Sequence, residues 1–378
     1  MRKFLIFITF LLGVASCVYP FDPVLEGTSD DMVVFEGSIV VGGVSKVRVS
    51  KVKSFGDEPR PVSRSVVWVE DDGGGRYNST SSSSNAEYTI PTQGPSQDRK
   101  YRMVAEVDGK KYSSDWIRPL APPALERVDF VPSPIGNNLD VFVTLKGGEE
   151  STGYMGIYFD ETWEFHADYM CRYILDTENW EVIPRGEPYP NYWCWNSASS
   201  SMSILDHSEY DGGRIESYPV HSFSRSDKRT QRKYSINVKA ITLPKETYRY
   251  LKNLDDISNG SGSLFSPNPG EMASNVACES DPSSRAMGYV TASFEISLRA
   301  YVDNRYYVEV PPSQSYLSVP PNMFAYLSYY QNNYYPVDFM TMEVGEQVVQ
   351  DIFWGPMRCI DCVVEGGTKQ KPDFWEDE

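Results

Sequence analysis

Five cysteines in the body of the chain, Cys171, Cys194, Cys278, Cys359 and Cys362, are the side chains best suited to covalent chemistry. Five is an odd number, so at least one thiol stays unbridged or pairs between chains. Cys171 and Cys194 are spaced to bridge two strands of one hairpin-like unit. Cys359-Ile360-Asp361-Cys362 is a Cys-x-x-Cys, a spacing used by redox sites, zinc sites and structural bridges. Nothing around it patterns as a thioredoxin-like strand and helix, and a zinc site needs two further ligands. His166, His207 and His221 show no matching spacing. A structural disulfide, local or to Cys278, is the expected use. Three histidines also leave little for acid–base catalysis. There is no His-Glu-x-x-His, Gly-x-Ser-x-Gly or phosphate-binding loop. Carboxylate pairs such as Glu149-Glu150 and Asp255-Asp256 cannot be told from solvated turns. We therefore expect no enzyme, no cofactor and no bound metal.

Aromatic residues offer more. The chain has 26 Tyr, 17 Phe and 8 Trp. Tyr326, Tyr329, Tyr330, Tyr334 and Tyr335 fall between Pro321 and Pro336, and Trp193-Cys194-Trp195 follows Tyr192. Flat aromatic faces stack on sugars or peptides and rank high among interface hot spots. The competing role is core packing, favoured for the Trp193 region and evenly balanced for the tyrosines, whose neighbours on a strand must face opposite sides.

Residues 1–17 read as an export signal. Arg2 and Lys3 precede an apolar run from Phe4 to Leu12, too short to span a bilayer. The run ends in Val14-Ala15-Ser16-Cys17, the layout of a lipobox, with Cys17 the residue to be acylated; an ordinary signal with a chance cysteine is the alternative. Acyl chains would contribute about 0.8 kcal/mol per buried methylene. Loss of Arg2 and Lys3 with the signal takes the net charge from -17 to -19. That excess of acid opposes binding to nucleic acid or to an anionic lipid surface.

Residues 18–31 form a polar tether with proline and glycine. Strands are expected at 32–41, around Val47 and Val49, at 65–70, 87–90, 101–107 and 111–114. Asp71-Asp-Gly-Gly-Gly75 and Asp108-Gly109 supply turns. These strands describe an immunoglobulin-like β-sandwich over 32–121, closed by Pro119-Leu-Ala-Pro-Pro123. Residues 122–378 read as a larger antiparallel β-rich domain. Its strands are expected at 125–130, 139–145, 154–159, 234–241, 287–294 and 296–302, with one short helix over 244–254. The whole is mainly β.

The lipobox, Tyr234-Ser-Ile-Asn-Val-Lys239, Leu243-Pro-Lys-Glu-Thr-Tyr-Arg-Tyr-Leu251, Met287-Gly-Tyr289 and the ending Cys359 to Trp375 occur in the order of a known family. The sequence resembles the Bacteroidota lipoproteins catalogued as domain of unknown function 4249, departing from their pattern at Cys278. The resemblance implies an outer-membrane lipoprotein often encoded beside TonB-dependent receptors. It implies no activity, and no catalytic residue carries over. An acidic surface-export signal after Cys17 is weak, because Val18 to Pro23 holds one acid. The expected function is ligand capture in partnership with a TonB-dependent transporter. The alternative is an independent surface protein that binds glycans or peptides.

Overall fold

The structure is a computed structural model. It describes residues 31–52, 60–62, 65–82, 86–92, 96, 98–148, 152–187, 189–210, 213–259, 274–302, 306–307, 317–319, 322–344 and 347–375. Side chains at 81, 82, 256–259, 340, 342–344 and 347–350 are outside the description. Cys17, the export signal and the tether up to residue 30 also lie outside it.

The chain is mainly β. Met32–Val41 and Val44–Val52 form an antiparallel hairpin in register from Met32 opposite Val52 to Ser38 opposite Lys46. Alternation puts Val33, Phe35, Ile39, Val47 and Val49 on one face. They pack against Val67, Val69, Met103 and Ala105 from a facing sheet. Asp108 and Gly109 both take positive φ, so the two-residue turn that their types favour joins Tyr101–Val107 to Lys110–Ser114.

The expected boundary at 121/122 is not where the sheets divide. Val276–Cys278 pairs with Lys110–Ser114, and Ala286–Gly288 runs parallel to Met32–Val41. Thr291–Tyr301 then pairs parallel with Met32–Val41 through Ser38 to Val41, and antiparallel with Lys233–Thr242. This shared strand contributes Ala292 to the first core and packs Ile296 and Ala300 against the second. Met32–Val41 would otherwise be an unpaired, apolar sheet edge. Turn signals close to it in sequence cannot report a parallel partner some 250 residues away. Residues 32–121 expressed alone should therefore aggregate and show no cooperative thermal transition; a sharp melt by circular dichroism would contradict the shared-strand account.

The second core lies between a sheet centred on Tyr154–His166 and the three strands Ala124–Pro132, Asn138–Lys146 and Arg214–Ser224. Leu139, Val141, Val143 and Leu145 face inward as their alternation predicts. The expected helix is present as Lys245–Asn259, and its Tyr248 stacks on Tyr154 with ring centres 4.3 Å apart. Gly288, with φ +145°, lies against the first strand so closely that an added Cβ would stand 2.4 Å from the Phe35 carbonyl oxygen. Gly288→Ala should cost about 1–3 kcal/mol in strain, read as a lower urea midpoint; an unchanged midpoint would show that the strand pair can open.

A third unit is built from Leu317–Val319, Tyr334–Val344 and Gln347–Pro356. Beside it lie the hairpin of Tyr173–Asp176 with Glu181–Pro184 and a second helix, Met323–Gln331. Tyr326, Tyr329 and Tyr330 are thus helical, against the strand reading of the tyrosine segment. Asn322 explains the start: its side chain accepts hydrogen bonds from the Phe324 and Ala325 N–H groups. No glycine or proline interrupts the next nine residues.

Candidate functional site

The cysteines decide how the third unit is attached. The bridge is Cys194 to Cys362, 168 residues apart in sequence. Neither the Cys171–Cys194 pair nor a Cys359–Cys362 or Cys278 bridge forms. Cys171, Cys278 and Cys359 are buried thiols. Cys359 sits inside the short helix Met357–Ile360, whereas Cys362 lies beyond its end, where the Cys362 N–H donates to the Asn191 carbonyl. Cys278 belongs to the first core and Cys171 to a small cluster with Val337, Phe353 and Ile360. Two backbone hydrogen bonds between Trp195 and Thr368, and Lys369 Nζ donating to the Pro190 and Trp193 carbonyls, hold the last segment on the same strand.

The Trp193 region is packed rather than open. Trp193 meets His166 and Tyr192 edge to face, and the Arg232 guanidinium lies 4.5 Å above its ring. Burial lowers the His166 pKa, with the Ala167 carbonyl opposing and Lys228 adding to the shift. Trp195 is half-buried on the strand beside the disulfide, and its indole N–H is buried without a hydrogen-bond partner.

The tyrosine segment builds a cavity. Alternation along Gln347–Pro356 sends Ile352 and Trp354 to one side of the sheet and Phe353 to the other. Tyr334 and Tyr335 divide in the same way. The helix lies over the first side, with Tyr326 buried at 4% exposure and 5.4 Å from the Trp354 ring. Tyr329 packs on Trp354 and Tyr334, while Tyr330 meets Tyr335. Between this helix, the sheet and the Tyr173–Pro184 hairpin is a cleft of about 400 Å³. The hairpin contributes Trp180, Glu181 and Val182. The helix contributes Asn322, Met323 and Tyr326, and the sheet contributes Phe339 and Ile352. The hairpin turn is fixed by Asp176, which accepts from the Glu178 and Asn179 N–H groups and from Asn179 Nδ2, and Trp180 takes a left-handed backbone. Burial, then the charge of Asp351, raises the Tyr326 pKa. Of the residues singled out from sequence, the cleft is lined by Tyr326 alone. Trp180 and Phe339 were not singled out as binding residues because isolated aromatics carry no local signal.

The sequence reading also missed a buried polar group in the second core. Glu161 faces inward with its side chain 3% exposed. It receives Arg229 through two nitrogens at 2.7 and 3.0 Å and the Tyr234 hydroxyl at 2.8 Å, and His221 Nε2 approaches to 3.2 Å. Burial pushes the Glu161 pKa up, but His221, Arg229 and Tyr234 outweigh it and bring it down to about 2. A carboxylate held ionised and supplied with donors, whose Arg229 partner lies over the Trp163 and Phe223 rings, is built as a structural charge cluster rather than a proton-transfer group. Among the described residues, no three His, Cys, Asp or Glu side chains are grouped to hold a metal ion.

No curated protein matches the sequence. Similar solved structures include a two fibronectin type-III domain segment from chicken tenascin, at 9% identity and TM-score 0.18, covering 57% of this chain and 93% of that one. Another is trypsin-activated alpha-2-macroglobulin from Escherichia coli, at 11% identity and TM-score 0.19, covering 58% of this chain and 15% of that one. The family comparison is the informative one. The profile described as "Domain of unknown function (DUF4249)" matches residues 18–299, stopping short of the Cys359–Trp375 series. The chain belongs to the DUF4249 family.

Proposed function

We propose that this protein is a non-enzymatic ligand-capture lipoprotein of the bacterial outer membrane, anchored through acyl chains on Cys17 and working beside a TonB-dependent transporter. The observation that carries the capture reading is the aromatic cleft under helix Met323–Gln331. Three rings from three separate elements, Trp180, Tyr326 and Phe339, line one cavity with two polar groups, Glu181 and Asn322. Aromatic rings combined with placed polar groups are a common form of a small-ligand site. The helix also presents exposed apolar side chains, Met323 at the cleft 48% exposed and Phe324 beside it in sequence 76% exposed. Such exposed residues commonly mark a contact surface. The envelope location rests on the lipobox, and the transporter partnership rests on the family resemblance.

The anchor has a direct test. Cys17→Ser should move the protein from the membrane pellet to the soluble fraction and abolish labelling by a radioactive fatty acid; retained labelling would sink the Cys17 assignment. The partnership is tested by mild-detergent purification of the tagged native protein with mass spectrometry. A TonB-dependent receptor should co-purify in near-equal amount. Recovery of the lipoprotein alone would favour an independent surface binder of glycans or peptides.

A further inference from the structure

We infer that the cleft selects an organic cation: an alkylammonium group on a small apolar body. This deepens the capture reading and rests on it. The first observation is the wall chemistry. Trp180, Tyr326 and Phe339 line one cavity, and Glu181 lines it as well. Aromatic faces carry negative potential and attract ammonium groups, and several rings around one space form a cage that hydrated metal ions and anions do not fit.

The second observation is the charge of the surrounding unit. From residue 306 to residue 357 the sequence contains no lysine, arginine or histidine. The same stretch holds Glu309, Asp338, Glu343, Glu346 and Asp351. The hairpin that closes the cleft, Tyr173 to Pro184, adds Asp176, Glu178 and Glu181, again with no basic residue. Every ionised group within these two segments is negative; Arg172, Arg185, Arg305 and Arg358 stand just outside their ends. This charge disfavours an anion, while a cation gains ring contacts. Helix Met323–Gln331 begins at the cleft, and an open helix start would favour an anion. That attraction is blunted because Asn322 Oδ1 already accepts the Phe324 and Ala325 N–H groups.

The apolar remainder, Val182, Met323 and Ile352, suits the methyls of a quaternary amine or the methylenes of a lysine side chain. Choline-type compounds and lysine-bearing peptides share this chemistry, and they can be separated experimentally.

The experiment uses the full mature chain with Cys17→Ser for solubility. Binding of four probes is measured by calorimetry and by saturation-transfer NMR: choline, its uncharged isostere 3,3-dimethylbutan-1-ol, N-acetyl-lysine methylamide and butyrate. At least one cation should bind about tenfold more tightly than the isostere, the scale of a desolvated cation–π contact, and butyrate should not bind. Preference for choline or for the lysine amide identifies the source, and either upholds the proposal. Glu181 is exposed, so Glu181→Gln should fold normally and narrow the gap between choline and its isostere. Trp180→Leu should weaken every bound probe. Binding of the isostere as tight as that of the better cation, failure of both cations to bind, or binding of butyrate would overturn the cation assignment. If neutral oligosaccharides or apolar peptides then bind in a Trp180-dependent way, the capture reading survives without it. If Trp180→Leu alters the binding of none of these, both fall.

Discussion

The double replacement Cys194→Ser with Cys362→Ser will lower the unfolding free energy by about 5 kcal/mol, the chain-entropy value for a loop of this size. The bridge spans 168 residues, so it restricts a large part of the unfolded chain. It also ties the third unit to the second sandwich at the strand Trp193–Ser199. The remaining attachments are the backbone hydrogen bonds at Asn191, Trp195 and Thr368 together with side-chain contacts such as Tyr189 and Asn191 to Asp361 and Lys228 to Glu365. The measurement is a urea titration of wild type, double variant and reduced wild type. The two bridge-free forms should coincide, well below the oxidised protein. A titration in which all three coincide would show that the bridge contributes nothing. The cleft should suffer with it, since its hairpin lies upstream of Cys194 and its helix and sheet lie between Cys194 and Cys362.

Arg229→Met will cost about 3–5 kcal/mol, because it strands a buried carboxylate. Glu161 would keep the Tyr234 hydroxyl and the neighbouring His221 but lose both guanidinium hydrogen bonds. The contrasting variant is Glu161→Leu combined with Arg229→Met. Replacing the whole pair by apolar groups should recover most of the loss. Equal stability of the single and double variants would refute the charge-cluster account. The pair also sets an acid limit. The Glu161 pKa is about 2 in the folded protein against an ordinary 4.5. A depressed folded pKa gives stability that is fully present above 4.5 and is lost as pH falls toward 2. Wild type should therefore lose this contribution between those values, and the apolar double variant should show a shallower acid slope over the same window.

Much of the fold was legible because it is local. Alternation marked Leu139 to Leu145 and Met32 to Val41 as half-buried strands, and Asp108-Gly109 marked a tight hairpin. Pro244 with the spaced Tyr248 and Leu251 marked the longer helix. Each of these depends on residues within a few positions of one another. The family, too, was readable from the order of short motifs.

What the sequence by itself determined is therefore the mainly-β class, the position of most strands, the absence of known catalytic motifs and the family. Tertiary structure alone decided which distant pieces meet. Thr291–Tyr301 joins two sandwiches because an apolar edge needs a partner, and parallel pairing has no turn to announce it. Cys362 pairs with Cys194 because the chain past Ile360 runs along the Trp193–Ser199 strand, which cysteine spacing cannot express. Glu161 looks like any acid on an alternating strand until Arg229 arrives from a separate turn. Tyr326 was visible as one member of a tyrosine cluster, but Trp180 and Phe339 become a site only when a hairpin and a sheet some 150 residues apart close around one space.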